Sequence, residues 1–156
     1  MKNLFITLIL FVLASCGSSA HPSLVGDWEV ADTVFTYQVK FDDSGNYQYT
    51  TNYLLEDGSL GIEVETGDYI ASDNEITSTT KRVSCPAHYT EADREPTSVM
   101  YDLSKSTLSV HDNSGEQDFS RSPKNEGSNP IIRTGCIDYS DSVGGFVFTT
   151  HDVGPL

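Results

Sequence analysis

The run VFTYQVKFDDSGNYQYTTNYL, residues 34–54, carries a strict alternation on either side of a turn. Phe35, Tyr37, Val39 and Phe41 recur at every second position, and so do Tyr47, Tyr49, Thr51 and Tyr53. Side chains that return to one side with a period of two belong to strands. Between the two runs lies Asp42-Asp43-Ser44-Gly45-Asn46. Aspartate and serine suit the corners of a type I turn, and glycine adopts the left-handed conformation that closes such a loop with a bulge. The segment therefore reads as a β-hairpin with one aromatic face.

A lone hairpin is marginal in water, so its face needs further strands to cover it. Turn chemistry recurs in EDGSLG (56–61), ASDNE (71–75), SKS (104–106) and DNSGE (112–116), and no window sustains helical spacing over three turns. Strands are expected at 28–32, 34–41, 47–54, 61–70, 76–82, 98–103, 108–112, 117–121 and 146–150. Ile62 and Val64 share one face of the fourth while Tyr69 takes the other, which a bulge at Gly67 would reconcile. The stretches 85–97 and 122–145 are rich in proline, glycine, serine or charge and read as long loops, the second with room for a short strand at 131–134. The expected fold is all-β: an antiparallel up-and-down β-barrel of about eight strands.

The chain opens MKNLFITLILFVLASCGSS, with Lys2, an apolar run over 4–13 and small residues up to Cys16. That run is too short to span a bilayer and has the form of an export signal. Leu13-Ala14-Ser15-Cys16 resembles the lipobox of bacterial lipoproteins. The resemblance implies cleavage before Cys16, acylation of its thiol and new amino group, and anchoring to a membrane; Gly17 after the cysteine implies transfer to the outer membrane. The expected organisation is a signal peptide at 1–15, a lipidated cysteine and flexible tether at 16–23, and a barrel domain at 24–156.

Removing the leader takes away Lys2 and no acid, leaving eight basic residues against 23 acidic ones, a formal charge of −15. Such a chain is unsuited to nucleic acid or anionic headgroups. Its acidity serves solubility or a basic protein partner. With Cys16 carrying lipid, Cys85 and Cys136 remain as a pair in an oxidising compartment, and a disulfide that clamps the two long loops follows. No metal site is expected of them, since neither has further thiols or histidines at short spacing.

Gly26-x-Trp28, then the hairpin Phe41 to Tyr47, then Gly67-Asp68-Tyr69 leading to Ile76, resemble in order the small lipocalin-like bacterial domains of the calycin group. The likeness covers residues 24–82. It implies that Trp28, the only tryptophan, packs across the closed base of a barrel under an arginine from near the last strand. Arg121 and Arg133 are the candidates, the C-terminal strand having none of its own. It also makes Tyr37, Tyr47, Tyr49, Tyr53, Tyr69 and Tyr101 the informative members of the interior: apolar rings with hydrogen-bonding tips suit a small apolar or amphipathic ligand. The same rings also suit a barrel packed solid.

Catalytic chemistry is not nominated. There is no Gly-x-Ser-x-Gly and no His-Glu-x-x-His. His21, His88, His111 and His151 are dispersed and read as solvated. Glu63 and Glu65 share a strand face and Asp42 and Asp43 share a turn, but neither pair has the full ring of oxygen ligands that Ca²⁺ takes. No cofactor is expected. Three functions stay open: a lipid-anchored carrier of a small apolar molecule, an envelope module that binds or inhibits a protein through its acidic surface or stapled loops, and an enzyme. Fold alone does not choose among them.

Overall fold

The computed structural model describes residues 23–89, 95–113, 115–122 and 131–150. The expected signal segment, Cys16, the expected tether to residue 22, parts of both long loops and the chain after residue 150 lie outside the described residues. Among the described residues ten strands form: β1 (Gly26–Ala31), β2 (Phe35–Phe41), β3 (Asn46–Leu54), β4 (Leu60–Ala71), β5 (Glu75–Val83), β6 (Thr97–Leu103), β7 (Thr107–Asp112), β8 (Gly115–Arg121), β9 (Ile132–Ser140) and β10 (Gly145–Thr150). A 3-10 turn, Pro86–His88, follows β5.

From β1 to β8 each strand pairs antiparallel with the next, and β8 returns to β1, so the meander closes into an eight-stranded barrel. The first hairpin shows why the residues comply. Asp42 accepts hydrogen bonds from the backbone N–H groups of Ser44 (2.9 Å) and Asn46 (2.8 Å), and Gly45 turns the corner at φ 83°. Across it Phe41 faces Tyr47, Val39 faces Tyr49 and Phe35 faces Tyr53, so the aromatic face is shared in register. At one end of the barrel, its base, Trp28, Phe41, Tyr69, Ile76, Tyr101, Leu108 and Phe119 are buried together.

β4 departs from the expected parity. Gly61, Glu63, Glu65, Gly67 and Tyr69 lie on one uninterrupted inward face, opposite Tyr53, Thr51, Tyr49 and Tyr47 of β3. Ile62 and Val64 face outward. The irregularity falls where it was expected, but on the neighbouring strand: Thr66 pairs with Arg82 and Gly67 with Thr80, leaving Lys81 as the extra residue of β5. Val64 is buried all the same, because the end of β5 and β9 converge on it. Ser84 bonds both main-chain groups of Val64 (2.8 Å each) and donates to the Gly135 carbonyl (3.0 Å).

The second long stretch is also more ordered than its composition suggests. In place of a short strand at 131–134 there is the nine-residue β9, which runs parallel to β4 along Leu60–Ile62 and then pairs with β10. β10 is therefore no barrel strand; the last one is β8. The β9–β10 hairpin turns back over the barrel end far from Trp28. There Phe146 packs edge-on against Phe35 (centroids 4.7 Å apart) and Tyr53 (6.2 Å), and Phe148 lies over Gly61, where a Cβ would come within 2.6 Å of its ring.

The disulfide forms, between Cys85 and Cys136, both buried. It ties the end of β5 to β9, as expected of a clamp between the two stretches. Closing a loop across 51 residues of sequence restrains the unfolded chain, so the double variant Cys85→Ala/Cys136→Ala is expected to lose about 2–4 kcal/mol in urea denaturation. An unchanged midpoint would show that the ladder and the Ser84 bonds hold β9 without the clamp.

Candidate functional site

Trp28 belongs to the fold. It is fully buried, and its indole N–H donates to the Leu24 carbonyl at 2.8 Å. The Arg121 guanidinium lies 4.4 Å from the ring centroid and donates to the carbonyls of Ser23 (2.8 Å) and Val25 (3.3 Å). Gly26 gives that guanidinium its room: with φ 139° it carries no side chain, and a Cβ there would stand 2.7 Å from Nη1. Arg133, the other candidate, pairs with Asp57 at 2.8 Å.

Above this base the barrel is hollow. The cavity, about 390 Å³, falls within the usual range of small-molecule sites, roughly 300–1,000 Å³. One side is apolar, built by Val39, Phe41, Ile76, Val99, Leu108 and Phe119. The other is polar, where β3, β4 and β5 bring in Tyr47, Tyr49, Glu65 and Ser78. Asp112 and Gln117 stand at the far ends of β7 and β8.

Glu65 organises the polar side. Its Oε1 accepts hydrogen bonds from the Tyr47 hydroxyl and from Thr80 Oγ1 (2.8 Å), while Tyr89 donates to Thr80 (3.1 Å). Burial, then the bond to Glu65, pushes the Tyr47 hydroxyl far above the ordinary phenol range, so Tyr47 stays a donor. Burial does the same to Tyr49, helped by Tyr37 and Glu65 nearby. Sequence reasoning placed Glu65 only in a weak pair with Glu63; its parity with Tyr49 across the hairpin was the available signal.

The six tyrosines separate into three groups. Tyr47 and Tyr49 line the cavity. Tyr69 and Tyr101 are packed in the base and donate to the carbonyls of Asp42 (2.8 Å) and Ser72 (2.7 Å), tying down hairpin turns. Tyr37 stacks on Tyr49 with its hydroxyl towards Asp32 (3.5 Å), and Tyr53 lies under the β9–β10 hairpin, donating to the Phe146 carbonyl (3.3 Å).

His88 is not simply solvated. Its Nδ1 lies 3.1 Å from Glu63 and its Nε2 2.7 Å from Asp138, and Glu63 also accepts the Ile137 N–H at 3.2 Å. The imidazole thus bridges β4 and β9 beside the disulfide. The sulfur of Cys85 comes near the same cluster, but it is committed to Cys136 and leaves too few donors for a structural metal. On the outer surface a larger open groove, about 570 Å³, runs among Lys40, Gln48, Thr66, Lys81 and Arg82. Long charged side chains wall it and Lys81 is paired with Asp68, so the interior is the better-built site.

No protein-family model matches the chain, and no curated protein matches it. Among solved structures it is similar to a lipocalin-like protein from Bacteroides uniformis ATCC 8492, at 19% identity over 64% of this chain and 98% of that one, with a TM-score of 0.43. The barrel assignment rests on the strand pairing itself.

Hydrogen bonds to Asp138 and Glu63 raise the His88 pKa above its ordinary 6.5. A raised folded-state value means that the contribution to stability is complete below about pH 6.5 and is lost as pH climbs through the folded value. Melting temperature followed from pH 5.5 to 8.5 is expected to fall for the native chain relative to His88→Gln over that window. Parallel curves would show that the bridge adds nothing.

Proposed function

We propose that this chain is a lipocalin-like binding protein that holds one small amphipathic molecule inside its barrel and is anchored through lipid on Cys16 to the cell envelope, in the outer membrane. The observation that supports the reading is the cavity itself: about 390 Å³ with an apolar wall facing a hydrogen-bonding one. A solid barrel would have filled that space with side chains. The anchor is supported by the lipobox-like Leu13-Ala14-Ser15-Cys16. Binding without catalysis accounts for the site, whose polar groups engage one another in the barrel wall.

A second reading, a protein-interaction module of the envelope, is supported by the exposed Ile131, Ile132, Val143 and Val147 on and beside the stapled β9–β10 hairpin, and by an acidic surface suited to a basic partner.

Native mass spectrometry of protein beginning at Gly17, purified from its own host, is expected to show an added small-molecule mass that disappears on denaturation. A bare mass, with no change in tyrosine or Trp28 emission on titration with amphipathic probes, would overturn the carrier reading. Salt-sensitive capture of a basic protein by that bare barrel would establish the second.

A further inference from the structure

The cavity selects a head group as well as a body, and we infer that its ligand is an amphipathic organic cation, a protonated amine with an apolar body. This deepens the binding reading above and rests on it. Among the described residues the charged side chains of the cavity wall are Glu65 and Asp112, with no lysine, arginine or histidine. The Oε1 of Glu65 is occupied by Tyr47 and Thr80, while Oε2 accepts no hydrogen bond among the described residues. An ammonium group donating to Oε2 would complete the carboxylate's hydrogen bonds.

The aromatic surroundings favour the same sign. Tyr49 is paired directly with Glu65 across the β3–β4 ladder, and Tyr47 touches its carboxylate. The faces of such rings attract cations, which adds to the pull of Glu65. With the head there, the apolar body lies against Val39, Phe41, Ile76 and Leu108, where burying its methylenes is favourable. A fatty acid of equal length meets the reverse situation. Its carboxylate would stand beside Glu65 with no cation among the described wall residues to compensate, and the strongly acidic chain as a whole repels it.

The test is calorimetric titration of protein beginning at Gly17, stripped of any bound molecule, with octylammonium, octan-1-ol and octanoate, three probes of one chain length and different heads. Octylammonium is expected to bind at least about tenfold more tightly than octanol, because its positive charge adds Coulomb attraction to a hydrogen bond that either head can donate to Glu65, and octanoate most weakly. Glu65→Gln is expected to bring octylammonium down to the level of octanol, and octanol binding that persists in the variant reports an intact barrel. Octanol or octanoate binding as well as octylammonium would overturn the cation inference and leave the binding reading standing. Binding of none of the three would overturn both.

Discussion

The barrel depends on a seam two residues long. β8 meets β1 through Trp28 opposite Arg121 and Glu29 opposite Ser120. So short a ladder would fray alone, and the molecule reinforces it with side chains. Arg121 lies over the indole while binding two carbonyls of the incoming chain, Ser122 donates to the Asp27 carbonyl (2.9 Å), and its hydroxyl bonds Glu29 (3.0 Å). A cation over an aromatic face contributes roughly 0.5–2 kcal/mol, and here it acts where the ladder is thinnest. The resemblance drawn from Gly26-x-Trp28 thus acquires a physical content: the glycine admits the guanidinium and the tryptophan receives it.

The hairpin of residues 34–54 was legible in full, since alternation and turn chemistry agreed, and most other strands fall within two residues of expectation. β9 was not legible. Its sequence, Ile132 to Ser140, mixes arginine, glycine and aspartate with apolar residues, and its order comes from the edge of β4 and from Cys136, partners distant in the chain. For the same reason the cap on Trp28 was ambiguous. With the C-terminal strand taken as the last of the barrel, Arg121 had no special place; with β10 outside the barrel, Arg121 ends the closing strand.

The interior was legible as a list of aromatic residues but not as a division of labour. Alternation put the tyrosines on one face, yet depth along the barrel decides their roles. Those at the base give their hydroxyls to backbone carbonyls, Tyr47 in the cavity wall bonds Glu65, and Tyr53 at the far end donates to the Phe146 carbonyl. Glu63 and Glu65 read as equivalent neighbours in sequence. One step of the pleated strand further along, Glu63 leaves the cavity wall and joins His88 and the β9 backbone. Hydrophobicity misled at Ile62 and Val64, whose outward face is covered locally by the end of β5 and by β9.

The order of the strands carries a kinetic corollary. Every pairing in the barrel except the seam joins neighbours in the chain, so each hairpin forms without first bringing remote segments together, and the loop-closure cost of assembly is concentrated in two late events. One is the return of β8 to β1. The other is the arrival of β9 at the flank of β4, which oxidation of the two thiols then makes hard to reverse. The polypeptide can thus ripen from its first turn onward, with its hollow finished only when both ends have come home.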